Sequence, residues 1–408
     1  MRQHLNPDQL REELVGADDL LIVQDLDGVC MQLVKDPLAR QMDAQYILAA
    51  AKLEGEFYVL TNGEHAGRRG VNKLVDEALG DTRQPHLEGL YLPGLAAGGV
   101  QLQNRFGQVN HPGVSKAEMN FLATVPTRMK MLLEMYLPPL LTEFSSLRIA
   151  NLIHQAILDT SVSPTINLNG ILELLLSNVD RQRELQQMLE KLMEQLLQQA
   201  RDDGLGSSFF LHIAPNLGRD NAGHERLKPA VPNDIGTTDI QFMLTGSLKE
   251  AGLIMLLNLY VARRTGRAPL GDDFNVRTAP QKHHELMQLV QNHIPIDQMP
   301  LLVGVGDTVT SEISNENSGR LRGGSDRGFL TLLKDLGDWC GRRNRAILVD
   351  SSHGEIDRPK FFADGYLKGI SDPEDPLHLD LLMPGGPDEY ISWFKLLANR
   401  RWQQKHLA

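Results

Sequence analysis

The chain has 408 residues, 41% of them hydrophobic and 5% aromatic, and a formal net charge of −11, a length that calls for two domains or one large domain carrying an insertion. The acidic balance excludes nucleic acid and anionic membrane as partners, since no basic excess exists to displace counterions. Two cysteines, Cys30 and Cys340, exclude a disulfide framework and a thiolate metal cage and point to a reducing compartment.

The amino-terminal stretch MRQHLNPDQLREEL is polar and lacks the apolar core of a signal peptide. No window of ~18 residues is apolar throughout, so a cytoplasmic protein without a membrane span is expected. The first strong element is Leu20-Leu21-Ile22-Val23, a short apolar run that reads as a buried strand. It leads into Asp25 and Asp27, spaced i, i+2, and then Gly28. Side chains alternate along a strand, so both carboxylates can share one side as the strand ends. Two such carboxylates are costly unless a cation offsets them, which is how a Mg²⁺ site beside a phosphate is made. An Asx turn at Asp27-Gly28 is the plainer alternative.

A second apolar run, residues 57–60, ends at Thr61-Asn62-Gly63, which offers a hydroxyl and backbone N–H groups to phosphate oxygens, or simply an ordinary turn. The middle of the chain changes character. Residues 127–203 carry a helical period, with Leu185, Met188, Leu189, Leu192, Met193, Leu196 and Leu197 on one face and Gly204 offering a stop. A strand-like run at 208–213 follows. Residues 114–235 therefore read as an α/β insertion between core segments 1–113 and 236–408.

Lys249 opens a helical pattern (Leu253, Leu256, Leu257, Val261); it is either a solvated lysine or a fixed cation bridging phosphate and carboxylate. Residues 301–305 lead into Gly306-Asp307, and residues 346–349 into Asp350. The loop Gly323-Gly324-Ser325-Asp326-Arg327 falls one residue short of a G-x-S-x-G elbow, which excludes a serine hydrolase on that motif. No Walker sequence is present, and His283-His284-Glu285 lacks the H-E-x-x-H spacing. Strand-like runs alternating with helices argue for a parallel sheet with its site at the carboxy ends of the strands, where Asp25, Asp27, Thr61 and Asp307 would converge.

Asp-x-Asp, Thr, Lys and Gly-Asp in this order resemble the haloacid-dehalogenase-like phosphohydrolases. The stretches DLLIVQDLDGVC, FYVLTNGEHAGRRGV, EGLYLPGLAAGGVQ, FFLHIAPNLGRD, DIQFMLTGSLKEAG, PLLVGVGDTVTSE and GGSDRGFLTLLKDLGDW are similar to the cyanobacterial glucosylglycerol-phosphate phosphatases, relatives of trehalose- and sucrose-phosphate phosphatases. The resemblance covers nearly the whole chain. It implies a Rossmann-like parallel-sheet core with an inserted α/β cap acting as a lid. It makes Asp25 the nucleophile, Asp27 the acid and base, and Thr61 and Asn62 the holders of the transferred phosphoryl group. Lys249 would be the fixed cation. Mg²⁺ would lie between Asp25, the Asp27 carbonyl and Asp307. Ser311 stands where many relatives carry a second acid, so Asp326, by likeness to the phosphomutases, is preferred for that role, with Glu312 as the alternative.

For the sugar, Glu64, His65 and Arg68 beside the second motif and His212, Asn216, Arg219 and Asp220 in the lid are candidates, with ordinary surface placement the alternative. The implied reaction is hydrolysis of 2-O-(α-D-glucosyl)-sn-glycerol 3-phosphate to glucosylglycerol, a compatible solute made under salt stress. The expected partners are a sugar-phosphate substrate and the glucosylglycerol-phosphate synthase that makes it. Trehalose- or sucrose-phosphate hydrolysis, a phosphomutase and a non-catalytic binding module are the competing readings.

Overall fold

The computed structural model describes all residues except 1–3, 159, 221–222, 233, 314–318, 357, 362–366 and 408. Its centre is an eight-stranded sheet. Six strands run parallel in the spatial order Leu381–Met383, Arg345–Val349, Leu301–Gly306, Leu20–Gln24, Phe57–Leu60, Gly94–Ala96, and two antiparallel strands, Gln101–Gln103 and Val109–Asn110, complete one edge. The four apolar runs seen in the sequence are thus four adjacent strands of one sheet. Leu20–Gln24 is buried along its whole length, because both faces of a parallel sheet are covered. Alternation sorts its side chains. Leu20 and Ile22 pack with the helices Pro7–Val15, Ala44–Lys52 and Gly386–Leu407 on one face, and Leu21 and Val23 pack with Lys249–Thr265 and Arg327–Cys340 on the other.

The inserted unit carries a four-stranded antiparallel sheet in the order Ile157–Leu158, Thr165–Asn167, Asp239–Leu244, Phe209–Ala214. The helix read from its apolar period is Val179–Asp202, burying Leu185, Leu189, Leu192, Met193 and Leu196. One boundary moves. Asp239–Leu244, assigned by sequence to the core segment starting at 236, pairs in register with Thr165–Asn167 and Phe209–Ala214. Its apolar content suits either sheet, and only long-range pairing places it in the inserted one. The chain then re-enters the core through Gly246, at φ +89°, and the helix that starts at Lys249. Among the described residues, no helix is long and apolar enough to cross a membrane.

Candidate active site

Asp25 and Asp27 follow the end of the central strand, Asp307 follows its neighbour Leu301–Gly306, and Asp326 precedes the helix Arg327–Cys340. One ligand oxygen each from Asp25, Asp307 and Asp326 lies within 4.8 Å of the others. Lys249 Nζ joins two of them, donating to Asp25 Oδ2 at 2.5 Å and to Asp326 Oδ1 at 2.6 Å. Asp326 Oδ2 accepts the N–H groups of Asp307 and Thr308, both at 3.0 Å, so it fixes the loop that presents Asp307. Thr308 Oγ1 donates to Asp307 Oδ1 at 2.9 Å. Asp307 Oδ2 is buried with no hydrogen-bond partner.

Two glycines make this crowding possible. Gly28 has φ +77°, and a Cβ there would stand 2.4 Å from Asp307 Oδ2. A Cβ on Gly306 would meet Asp326 at 2.7 Å.

The electrostatics follow from burial. Desolvation raises the Asp25 carboxyl well above its usual range; Lys249 opposes this, while Asp326 and Asp307 add to it. Desolvation and then the charge of Asp326 push Asp307 up to about 7. Burial alone would lower Lys249, but the two aspartates outweigh it and hold the ammonium above its ordinary value. Three carboxylates facing one ammonium leave a surplus of negative charge in a dry site. The bare Asp307 oxygen and the all-oxygen donor set fit a hard divalent cation such as Mg²⁺.

Asp27 is held apart from this cluster. Its oxygens accept from Arg40 Nη1 at 3.1 and 3.0 Å, and Arg40 is anchored in turn on the carbonyls of Pro37 and Arg69. Thr61 is buried, and its Oγ1 accepts the Gly63 N–H at 3.2 Å. Asp25, Asp27, Thr61, Asn62, Glu64 and Asp307 line one cleft between the large sheet and the inserted unit. Asn62 Nδ2 lies 2.8 Å from His212 Nε2 across that boundary. Glu312 is elsewhere, 3.2 Å from the Nζ of buried Lys228. Of the two acids weighed from sequence, Asp326 stands with Asp25 and Asp307.

The sugar candidates separate. Glu64 is buried, and its carboxylate accepts the N–H groups of Ser161, Val162 and Ser163 and the Ser163 hydroxyl, tying the core to the insertion. His65 is fully buried behind the cleft, with Nε2 3.2 Å from the Gly94 carbonyl, and burial lowers it to about 4. Arg68 is exposed and outside the cleft lining, where Arg69 stands instead. His212, Asn216 and Arg219 line a neighbouring cavity that shares Asn62 and Ser325 with the cleft, and all three lie against Glu225. Asp220 lines neither; it accepts the His224 N–H at 2.9 Å.

The sequence profile of the glucosylglycerol-phosphate phosphatase family matches residues 19–398. The chain is 46% identical over 400 residues, 96% of its own length and 95% of the relative's, to a glucosylglycerol-phosphate phosphatase of Synechocystis sp. (strain ATCC 27184 / PCC 6803 / Kazusa). The chain belongs to the glucosylglycerol-phosphate phosphatase family. Among solved structures, it is similar to the C-terminal domain of trehalose-6-phosphate phosphatase from C. albicans, with TM-score 0.47, 12% identity and 97% of each chain covered. It is also similar to a trehalose-6-phosphate phosphatase related protein, with TM-score 0.40, 11% identity, and 93% and 97% of the two chains covered.

In this member of the glucosylglycerol-phosphate phosphatase family, the sequence reading missed Arg40, Arg69, Arg358 and Asp239 in the cleft and Glu225 beside it. None belongs to the Asp-x-Asp, Thr, Lys and Gly-Asp set, although Arg69 and Asp239 fall inside the stretches FYVLTNGEHAGRRGV and DIQFMLTGSLKEAG. Their places are set by packing between distant segments, and charge alone does not distinguish them from surface residues.

Proposed function

We propose that the chain is a Mg²⁺-dependent phosphatase acting on 2-O-(α-D-glucosyl)-sn-glycerol 3-phosphate, releasing glucosylglycerol and phosphate by way of an aspartyl-phosphate on Asp25. The observation that carries this reading is the meeting of Asp25, Asp307, Asp326 and Lys249 in one buried cluster beside Asp27 and Thr61. Family membership supports the choice of ester.

An oxygen of Asp25 attacks phosphorus, and the bond from phosphorus to the glycerol oxygen breaks. Asp27 gives its proton to the departing alkoxide. It then takes a proton from the water that attacks the aspartyl-phosphate, which frees phosphate and restores the Asp25 carboxylate. Lys249 holds Asp25 in place and offsets the charge that gathers there. Thr61 Oγ1 and the Asn62 amide hold the transferred group through its oxygens. Asp25, Asp307, Asp326 and the Asp27 carbonyl would hold Mg²⁺, whose positive charge would offset that of the phosphate oxygens. The insertion closes over the cleft as a lid and keeps bulk water from the aspartyl-phosphate.

In the cell this activity would complete the synthesis of a compatible solute under salt stress, in the cytoplasm and supplied by the glucosylglycerol-phosphate synthase. The deciding experiment is phosphate release from a panel of glucosylglycerol, trehalose and sucrose phosphates, with and without Mg²⁺, by wild type and Asp25→Asn. The expected result is Mg²⁺-dependent turnover with the highest kcat/KM on the glucosylglycerol ester and none in the variant. A preference for trehalose or sucrose phosphate overturns the substrate, and full activity in Asp25→Asn overturns the covalent route.

A further inference from the structure

The inserted sheet has one dry face and one polar face. Ile166, Ile240 and Phe242 are buried in the apolar core. Strand alternation therefore turns Thr165, Asn167, Asp239 and Gln241 to the opposite side. Register sets them in two facing pairs, Asp239 opposite Asn167 and Gln241 opposite Thr165. All four line the cleft that holds Asp25 and Thr61.

Hydrogen bonding leaves this face rich in unspent acceptors. Asp239 Oδ1 accepts from Asn167 Nδ2 at 2.9 Å, and Oδ2 accepts from Thr238 Oγ1 at 2.8 Å, one bond to each oxygen where two can be accommodated. Thr165 Oγ1 donates to the Ser163 carbonyl at 2.7 Å and keeps its lone pairs. Gln241 Oε1 is buried with no partner, a costly state unless a ligand or water fills it. Acceptors of this kind call for a ligand that donates, which is what hydroxyl groups do. A carboxylate on the wall disfavours a second anion, whereas Arg40, Arg69 and Arg358 in the same cleft favour one. The cleft thus sets three guanidinium groups beside its acidic cluster, where a phosphate would lie, and an acceptor wall for a polyol on the inserted sheet.

We infer that this sheet face is the glycosyl subsite, taking the hydroxyls of a neutral hexosyl group whose phosphate lies over Asp25. The inference rests on the phosphatase reading above and adds the residues that choose the substrate. It places sugar recognition on the sheet face and leaves His212 and Asn216 to their contacts with Glu225.

The test compares wild type, Gln241→Leu and Thr165→Val on glucosylglycerol 3-phosphate and on p-nitrophenyl phosphate, which has no sugar. Melting curves confirm folding, and Thr165→Val serves if Gln241→Leu does not fold. The ratio of kcat/KM for the sugar ester to that for the aryl ester should fall about 10- to 100-fold in each variant, the range for losing a hydrogen bond to a substrate hydroxyl. Free glucosylglycerol should also weaken as a competitive inhibitor of aryl ester hydrolysis. An unchanged ratio in folded variants overturns the subsite. Failure of wild type to release phosphate from the sugar ester, while it splits the aryl ester, instead overturns the substrate and the subsite's ligand with it.

Discussion

Lys249 Nζ lies 2.5 Å from Asp25 Oδ2 although the two residues are 224 positions apart in the chain. It reaches Asp326 from the same atom, so one ammonium holds two carboxylates that are both buried. At an effective ε of about 20, unlike unit charges ~4 Å apart attract by roughly 4 kcal/mol. Lys249→Met should therefore lower kcat by about three powers of ten, since each 1.36 kcal/mol is about tenfold in rate. It should also destabilise the fold by leaving an uncompensated buried charge. Initial rates of phosphate release, read beside a thermal melt, check both; a near-native rate would remove Lys249 from the chemistry.

Asp326 and Glu312 offer a matched comparison. Asp326 shares the cluster with Asp25 and Asp307, whereas Glu312 pairs with Lys228. Asp326→Asn should raise the Mg²⁺ concentration for half-maximal rate by at least about tenfold, in line with losses seen when metal sites are perturbed. Glu312→Gln should leave the titration within about twofold of wild type. The reverse order would assign the metal to the other acid.

Glu64 gives a prediction about the inserted unit. Four donors of residues 161–163 converge on its carboxylate. Hydrogen bonds to a charged group contribute about 1.5–3 kcal/mol. Glu64→Ala should therefore speed amide exchange at Ser161, Val162 and Ser163 by roughly 10- to 100-fold. Hydrogen-exchange mass spectrometry on that loop reads the effect, and unchanged protection would show that the tie is unimportant.

His65 gives a prediction about pH. Burial lowers its folded-state value to about 4, against 6.5 when free. As pH falls through 6.5 the unfolded chain takes up a proton that the folded chain refuses, so stability is lost between pH 6.5 and about 4. The loss amounts to about 3 kcal/mol at 1.36 kcal/mol per pH unit. His65→Gln should flatten this part of the curve of stability against pH. Urea melts at pH 7, 5.5 and 4.5 measure the slopes; parallel curves for the two proteins would refute the assignment.

Much of the core was legible because its signals are local. An apolar run between turn residues reads as a buried strand wherever it falls, and the runs ending at Asp25, Thr61, Asp307 and Asp350 are neighbours in one sheet. The period through Leu185 and Leu196 likewise marks a helix without knowledge of what it packs on. Signals that depend on partners were lost. Asp239–Leu244 looks like any core strand until its register with Thr165–Asn167 is known. His65 sits beside a phosphate-type turn and invites a sugar role, but the packing of residues 94–101 against it takes its ring and its N–H out of the cleft. Arg40 contacts Asp27 only because the 36–40 turn folds back over the strand end.

The pairing of Leu20–Gln24 with Leu301–Gly306 has a consequence for biosynthesis. On the ribosome the central strand emerges early and then waits while about 280 residues are made, roughly 15 seconds to a minute at ~5–20 residues per second. During that interval one whole edge of it is unsatisfied and open to strangers. The intervening unit can collapse on its own apolar helix meanwhile. Asp25 acquires its ammonium counterpart only once Lys249 has been made, and its companion carboxylates, Asp307 and Asp326, later still.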